Sequence, residues 1–454
     1  MHRWLVWNIL FPLQEWVKGH PTYSILREME AADRLSASEL EQLRGMKLRQ
    51  MIEYCYAHVP YVRTRMREAG VQPAQIREPR DLVLLPLMTK ADVRQHRARL
   101  HSDLAGRLTP FSTGGSTGEP LLFDLSQARI AAAVACRQRV SRWWGVSVGD
   151  PEFVLWGSPI ELTRQDWLRK IRDRLFASQL ISAFEMTEDV MSQYLDLIIQ
   201  RGCKQLFGYP SSIYLLCLHA RKQGRDLTRS GIQVVFVTGE VFFPYQRELI
   251  SQTLNCPVAN GYGGRDSGFL AHECPQGGMH VMADAVLLEL VGTDGLPVPM
   301  GEAGEIVVTD LYSRETPFIR YATGDFGVLS PRACPCGRPL PLLEKIEGRS
   351  TDIVLTPDGR FLHALSLIYV MREIEGIEQY KIIQRRTDSF QVQLVRNGEY
   401  RMESESKIRE GLGRRLRSQL QVEFEYLSQF PPERSGKFRH VVCEIPLEER
   451  ECRK

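Results

Sequence analysis

The chain has 454 residues, of which 43% are hydrophobic and 25% charged, and this composition excludes a disordered, collagen-like or disulfide-scaffold protein. Lysine and arginine (58) exceed aspartate and glutamate (55) by three. So small a positive surplus argues against a protein dedicated to nucleic-acid binding, which usually carries a strongly basic surface. The length suits two large domains or three average ones, with small molecules as the expected partners.

The chain opens with an apolar segment from Trp4 to Phe11. This segment is far shorter than the ~20 residues of a membrane span and lacks the cleavage pattern of a signal peptide, so no transmembrane segment is expected. It is interpreted either as a helix packed on the protein, which is favoured, or as a membrane-surface anchor. The ten cysteines predict reduced thiols in a cytoplasmic protein, and a homodimer formed through the N-terminal helices is a possible arrangement.

Apolar spacing predicts the order of the secondary structure. Helical periodicity from Ser36 to about Ala57 predicts a helix, and residues 1–107 form a mainly helical leading part. Further on, a helix-like Gln127 to Trp144 and short apolar runs such as Phe153–Trp156 and Val234–Thr238 alternate, followed by a strand-like Gly304–Leu311. This alternation predicts a large α/β N-terminal domain over 1–348 with a substantially parallel sheet.

The texture changes after residue 349. Strand-like Ile377–Gln384 and Phe390–Val395 precede a helix-like Glu403–Arg417 and a strand-like Val422–Leu427. The order strand, strand, helix, strand predicts a small α+β C-terminal domain over 353–454, with a hinge at 349–352.

A loop of glycines and hydroxyl residues follows the helical leader. Glycines let backbone N–H groups and hydroxyls approach phosphate oxygens closely, so the loop is suited to phosphate binding. A plain surface turn has the same composition, and other motifs must decide between the two interpretations. It is not a Walker loop, because Glu119 stands where that motif has lysine. The candidate phosphate-binding residues are Ser112, Thr113, Gly114, Gly115, Ser116, Thr117 and Gly118.

Five short motifs in order provide that evidence. The loop is followed by Gly261–Asp266 (GYGGRD), Tyr321–Asp325 (YATGD), Gly348–Asp352 (GRSTD) and Arg434–Lys437 (RSGK). This series resembles the adenylate-forming superfamily, whose members bind ATP in a large domain and carry a mobile small domain. Within it, the segments 54–62 (YCYAHVPYV), 85–90 (LPLMTK) and 334–338 (CPCGR) resemble the phenylacetate–CoA ligase branch and its relatives associated with capsular polysaccharide genes.

The resemblance implies roles for the nucleotide-binding residues. Lys437 would supply the cation for acyl-adenylate formation, and Asp325 would accept hydrogen bonds from both ribose hydroxyls. Asp266, where the family usually has glutamate, would help hold Mg²⁺, directly or through water. The adenine would stack on Tyr262, and Arg349 would touch the ribose or a phosphate or close the domain boundary. The other residues expected around the nucleotide are Gly239, Glu240, Gly261 and Gly263.

The acyl pocket and the hinge are placed by the same comparison. Phe207, Gly208 and Tyr209 are the clearest candidates for the acyl pocket, because an aromatic residue beside glycine leaves room for a flat or apolar group. Thr351 stands at the usual hinge aspartate and Asp352 follows it, so both are hinge candidates.

A structural zinc site is expected outside the nucleotide cleft. Cys334 and Cys336 lie in one Pro/Gly-rich turn and Cys274 and His280 in another, and three thiolates with one imidazole suit tetrahedral Zn²⁺. His272 is a rival for the fourth ligand.

These observations lead to three functional hypotheses. The first is an AMP-forming, ATP-dependent acid–thiol ligase that makes an acyl- or aryl-adenylate and transfers the acyl group to CoA. The second keeps adenylation but transfers to an amine or hydroxyl in polysaccharide or secondary-metabolite synthesis. The third is a non-catalytic nucleotide-binding relative.

Overall fold

The computed structural model describes residues 2–113, 121–156, 172–183, 186, 188–292, 294–349, 353–357, 361–363, 365–401, 403–430 and 440–445. The chain divides into two compact units, Met1–Thr323 with Gly327–Ile346, and Gly324–Phe326 with Glu347–Lys454. Residues 350–352 lie outside the described residues, so the hinge at 349–352 stays a prediction. Within the described parts, no helix is long and apolar enough to cross a bilayer.

The first 100 residues are mainly helical. The predicted helix from Ser36 is confirmed, and it begins with a capping box in which Ser36 and Glu39 satisfy each other's backbone N–H groups. The α-helices are α1 (His2–Leu5), α2 (Phe11–Lys18), α3 (Thr22–Ala32), α4 (Ala37–His58), α5 (Pro60–Glu68) and α6 (Lys90–His96). Shorter turns are a π-helix at Val6–Leu10 and 3₁₀ helices at Pro73–Gln75, Pro79–Leu84 and Arg97–Leu100.

Alternating strands and helices follow, as predicted. The strands are β1 (Leu108–Ser112), β2 (Leu122–Ser126), β3 (Glu152–Trp156), β4 (Ser178–Ser182), β5 (Gln205–Gly208), β6 (Val234–Thr238), β7 (Val258–Gly264), β8 (Gly268–Glu273), β9 (Met279–Val281), β10 (Val286–Val291), β11 (Ala303–Asp310), β12 (Tyr321–Ser330) and β13 (Leu342–Arg349). The intervening helices are α7 (Gln127–Trp143), α8 (Glu188–Arg201), α9 (Pro210–Lys222) and α10 (Pro244–Leu254).

The large sheet has eleven strands in the order β10-β11-β12-β13-β9-β8-β7-β6-β5-β3-β4. The prediction of a substantially parallel sheet is correct only for β4, β3, β5, β6 and β7. The pairs β7–β8, β8–β9, β9–β13 and β10–β11 are antiparallel. The reason is that helices cross between the parallel strands, whereas β7–β9 follow one another through short turns that only antiparallel strands allow.

Among the described residues, the two largest hydrophobic clusters support the two halves of this sheet. One joins the N-terminal helices and α7 to the antiparallel strands, with Leu48, Ile52, Val308 and Tyr321 among its buried members. The other packs α8, α9 and α10 on the parallel strands.

The second unit is a small mixed fold of strands and helices. It contains β14 (Ile353–Leu355), β15 (Phe361–His363), α11 (Leu365–Arg372), β16 (Ile377–Arg386), β17 (Ser389–Arg396), α12 (Glu403–Leu416), β18 (Gln421–Tyr426) and β19 (Val441–Cys443). Its four-stranded sheet has the order β18-β17-β16-β19. The predicted small α+β fold is confirmed, including the order strand, strand, helix, strand.

Candidate functional site

The predicted pocket and adenine residues lie at one edge of the sheet. Strands β3, β5, β6 and β7 are parallel neighbours, so their carboxyl ends meet at the same edge. In open α/β sheets ligands bind in the crevice outside these carboxyl ends. The residues at or just after the strand ends are Trp156, Phe207, Gly208, Tyr209, Gly239, Glu240, Gly261 and Tyr262.

An aromatic pair lines this edge. The rings of Trp156 and Tyr209 stack with centroids 4.1 Å apart, and Phe207 lies 5.6 Å from Trp156. Gly239 packs beside the pair: a Cβ atom there would lie 3.2 Å from Tyr209 Cε1 and 3.4 Å from Trp156 Cη2. Sequence analysis missed Trp156, although its place at the end of a predicted strand is a signal that could have found it.

Glu240 joins the loop after β6 to a helix. Its Oε2 accepts a hydrogen bond of 3.1 Å from the backbone N–H of Ser211, in the first turn of α9. A carboxylate at a helix N-terminus is stabilised by the unpaired N–H groups and by the helix dipole. This contact holds the loop after β6 close to Tyr209, which immediately precedes the helix.

Two of the recognised motifs meet in the fold. Asp266, from the GYGGRD segment, is buried, and its Oδ2 accepts a 2.7 Å hydrogen bond from the hydroxyl of Tyr321, the first residue of the YATGD segment. The Tyr321 ring in turn packs edge-on against Phe318. Segments 55 residues apart in sequence are thereby joined at a carboxylate that the resemblance assigns to Mg²⁺.

A buried ion pair fixes the backbone that carries Asp266. Arg129, on α7, donates to the backbone carbonyl of Asp266 and forms an ion pair with Asp310, with 3.0 Å between Nε and Oδ2. Burial raises the pKa of Asp310, whereas the Arg129 charge and hydrogen bonds act in the opposite direction. Sequence analysis missed both residues, because nothing in their local pattern distinguishes them from surface charges.

The glycine-rich loop is described only at its base. Thr113 donates its backbone N–H to the carbonyl of Leu121, and its Oγ1 accepts from the N–H of Leu121, each over 3.0 Å. Arg265 donates to the Ser112 carbonyl over 3.3 Å, which brings the base of the loop beside the GYGGRD segment. Gly114, Gly115, Ser116, Thr117 and Gly118 lie outside the described residues.

The remaining nucleotide and hinge candidates are only partly placed. Tyr262 and Gly263 lie on β7, Asp325 lies half-buried on β12, and Arg349 is the last residue of β13. The proposed catalytic Lys437 and the hinge residues Thr351 and Asp352 lie outside the described residues. Their roles stay predictions.

The two loops expected to bind zinc converge. The ligand atoms of Cys274, His280, Cys334 and Cys336 all lie within 4.8 Å of one another. Cys274 Sγ is 3.6 Å from Cys334 Sγ, and Cys336 Sγ is 3.2 Å from His280 Nε2. Three sulfurs and one ring nitrogen at this spacing match the donor set of a closed tetrahedral zinc site.

Hydrogen bonding orients the histidine of this cluster, and burial shifts the pKa values of its groups. His280 Nδ1 lies 3.1 Å from the Leu340 carbonyl, which can only accept, so Nδ1 carries the proton and the Nε2 lone pair faces Cys336. Burial lowers the pKa of His280 and keeps the ring neutral. Burial raises the pKa of Cys274 to about 11, which is unfavourable for a thiolate without a nearby cation.

His272, the rival ligand, lies elsewhere. Its ring stacks on Phe269, with centroids 5.8 Å apart, and its Nδ1 donates to the Glu273 carbonyl over 3.0 Å. The cluster found among the described residues contains His280 and not His272. Of the two histidines considered, His280 is therefore the one that lies beside the three cysteines.

We expect Gly239→Ala to lower the rate of the acyl-adenylate formation that the resemblance implies at least about tenfold. Gly239 has φ +84°, so alanine strains the backbone, and its Cβ also pushes on Tyr209 and Trp156. The matched control is Gly224→Ala, at φ +65° with open space around the added Cβ. Both variants should lose roughly 1 kcal/mol in chemical unfolding, but only Gly239→Ala should slow pyrophosphate release. Equal rates in the two variants would contradict a role for this aromatic pair.

The fold is of the adenylate-forming CoA ligase type, as solved structures show. A solved 2-hydroxyisobutyryl-CoA ligase in complex with R3-HIB-AMP superimposes with a TM-score of 0.74 over 91% of each chain, at 19% sequence identity. ATP-bound MatB from Rhodopseudomonas palustris gives a TM-score of 0.54 over 73% of this chain and 66% of that chain, at 16% identity. At these identities the matches establish the fold alone.

The chain has sequence relatives among the phenylacetate–CoA ligases and CapK. Residues 354–444 match the family model of the CapK C-terminal domain. The chain is 25% identical over 372 residues to a phenylacetate-coenzyme A ligase from Thermus thermophilus, covering 78% of this chain and 80% of that protein. It is 23% identical to protein CapK from Staphylococcus aureus, covering 80% of each. The resemblance to the phenylacetate–CoA ligase and CapK branch of the adenylate-forming enzymes is thus confirmed.

Proposed function

We propose that this protein is an AMP-forming, ATP-dependent acid–CoA ligase. The main observation behind this proposal is that residues from four parallel strands lie together at the carboxyl edge of one sheet. Two motifs that are distant in sequence also meet, through the hydrogen bond from Tyr321 to Asp266. The names of the relatives, phenylacetate-coenzyme A ligase and 2-hydroxyisobutyryl-CoA ligase, support acid–CoA ligation.

The proposed chemistry has two steps. A carboxylate oxygen of the acid attacks the α-phosphorus of ATP, and the bond to the bridging oxygen breaks to release pyrophosphate. The sulfur of CoA then attacks the acyl carbon of the adenylate, loses its proton and displaces AMP. Two anions meet in the first step, so positioned positive charge dominates its catalysis, and Lys437 is the residue proposed to supply it.

The nucleotide is proposed to bind along the edge of the sheet. Tyr262 stacks on the adenine, Asp325 accepts from the ribose hydroxyls, and the glycine-rich loop donates to the phosphates. Asp266, oriented by Tyr321, is proposed to act on Mg²⁺ that accompanies ATP. Its short side chain and its bond to Tyr321 favour a contact through a metal-bound water.

The acid is proposed to be flat or compact. Trp156, Phe207 and Tyr209 supply aromatic surface where the acyl group would lie, and aromatic side chains prefer offset-stacked or edge-to-face contacts with an aromatic partner. Phenylacetate and other aryl acids are therefore the first substrates to test.

The Cys/His cluster is proposed to bind one structural zinc ion. Cys274, His280, Cys334 and Cys336 would provide all four ligands and leave no position for substrate, so the ion would contribute stability rather than chemistry. It would hold the loop after β8 and the loop before β13 together.

A second candidate acceptor is an amine or hydroxyl in place of CoA. The relatives include CapK, whose name specifies no CoA ligation, as well as CoA ligases, and an acceptor other than CoA is therefore the alternative to test. A screen of aryl, short-chain and fatty acids for pyrophosphate release, with and without CoA, separates the candidates. Release without CoA consumption favours the second acceptor class, and no release with any acid contradicts adenylation.

We expect Asp325→Ala to raise the KM for ATP roughly 10- to 100-fold with a smaller change in kcat. The reason is that the variant lacks the carboxylate, so ATP would lose two charge-assisted hydrogen bonds from its ribose hydroxyls. Initial rates at varied ATP measure this effect. Glu344→Ala, which removes an exposed carboxylate on the neighbouring strand β13, should leave the KM unchanged. An unaltered KM in Asp325→Ala would contradict the assignment.

A further inference from the structure

The N-terminal helical segment over residues 2–18 has one face packed on the protein. Val6, Phe11 and Glu15 are buried, and Val6 lies so close to Gly149 that a Cβ there would come within 2.8 Å of Val6 Cβ. The π-helical turn Val6–Leu10 places Val6 and Phe11 five residues apart on this inner face, with the N–H of Phe11 bonded to the Val6 carbonyl. The segment is thus held on the first unit by a defined face.

The opposite face of this segment is apolar and open to solvent. Leu5, Ile9, Leu13 and Val17 recur every four residues along it, and Trp4 and Trp16 stand near its two ends. The exposed fractions are 63% for Trp4, 76% for Trp16 and 71% for Val17. Two exposed tryptophans with aliphatic residues between them make a contiguous patch rather than single scattered side chains. We call these six residues the outer face.

The exposed charges around the outer face are positive. The side chains of Arg3 and Lys18 are 48% and 41% exposed, whereas their partners Asp150 and Glu15 are buried. Phe176 contacts Phe11, with ring centroids 6.4 Å apart, and this brings the helical turn at 172–175 beside the segment. That turn adds the exposed Arg172 and Arg174, together with Leu175, which is 47% exposed. Asp173 pairs with Arg172 but is only 17% exposed, so the four cations are the better exposed charges beside the outer face.

We propose that the outer face docks on the surface of an anionic lipid bilayer. Tryptophan and aliphatic side chains enter the boundary between headgroups and acyl chains, and flanking cations meet the anionic headgroups. A second copy of this chain fits less well, because two such faces would bring the flanking cations of one copy near those of the other without intervening exposed carboxylates. The packed inner face means that the segment lies on the membrane surface without leaving the protein.

Vesicle co-sedimentation of the full chain tests this proposal. We expect binding to vesicles of phosphatidylglycerol and phosphatidylcholine in equal parts, weak binding to phosphatidylcholine alone, and weaker binding to the anionic vesicles as salt is raised. The variant Trp4→Ser/Trp16→Ser should lose at least about tenfold in affinity, and Lys18→Gln roughly fivefold. The control Leu296→Ser/Met300→Ser removes two exposed apolar side chains elsewhere and should bind as the unaltered protein does.

Folding and oligomeric state are followed alongside. The tryptophans are exposed, so the melting temperature of Trp4→Ser/Trp16→Ser should match that of the unaltered protein. The proposal is overturned if the unaltered protein stays in the supernatant with anionic vesicles, or if the double variant binds as tightly as the control. It is also overturned if the unaltered protein is a dimer in solution that the double variant disperses, which would assign the outer face to a second copy.

Discussion

Replacement of Lys437 by alanine should lower acid-dependent pyrophosphate release at least about 100-fold while leaving the reaction of a preformed acyl-adenylate with CoA nearly unchanged. In the first step a carboxylate approaches a triphosphate, and a lysine ammonium reduces their repulsion where charge develops. In the second step the acyl-adenylate already exists, so that cation has no corresponding role. Quenched-flow or coupled pyrophosphate assays measure the first step, and synthetic acyl-adenylate measures the second.

A matched control separates this effect from a general loss of charge in the same unit. Lys407 is exposed on α12, and Lys407→Ala should leave both half-reactions unchanged. Equal loss of both half-reactions in Lys437→Ala would contradict the division of labour. Retention of both would remove Lys437 from the catalytic residues.

The second large effect is expected from the Cys/His cluster. We expect the purified protein to contain one equivalent of zinc and Cys336→Ser to lose it, with a fall in melting temperature of roughly 5 °C or more. The physical reason is that zinc binds the cysteines as thiolates together with the histidine ring. Its binding free energy then adds to the stability of the fold, and this contribution is lost when a ligand is removed. Metal analysis and thermal unfolding with and without a chelator measure both quantities.

A buried thiol outside the cluster provides the control. Cys203→Ala should keep its zinc, because Cys203 lies in the core beside the parallel strands. Cobalt substitution offers an independent readout, since thiolate ligands give the bound ion a charge-transfer absorption that Cys336→Ser should weaken. Less than half an equivalent of zinc, together with melting that a chelator leaves unchanged, would refute the site.

Local sequence was sufficient for the elements whose signals are local. The helix α4 has its capping box written in Ser36 and Glu39, and the strand β6 is a run of β-branched and aromatic residues between breakers. In the second unit, strand and helix periodicities predict β16, β17, α12 and β18 to within a few residues. Burial on one face of an element imposes its period on the sequence, and therefore the period can be read without the fold.

Local sequence could not predict which strands pair in parallel or the residues that pack around the site. The antiparallel half of the large sheet is set by which strands pair. The prediction of a substantially parallel sheet, which holds for five of the eleven strands, followed from the alternation alone. Trp156 reads as a core aromatic until the stacking partner Tyr209 is known. Arg129 and Asp310 read as surface charges until they are found buried behind Asp266.

The sequence by itself determined the classes of residue and their order: a glycine loop, three further nucleotide motifs, a terminal lysine segment and two Cys-containing turns. These follow from short-range chemistry, because each motif needs particular side chains a few positions apart. Only the tertiary structure decided that Tyr321 holds Asp266, that His280 and not His272 joins the three cysteines, and that the first helices leave two tryptophans exposed. Those outcomes depend on contacts between residues distant in the chain. Hydrophobic packing and strand pairing jointly determine these contacts.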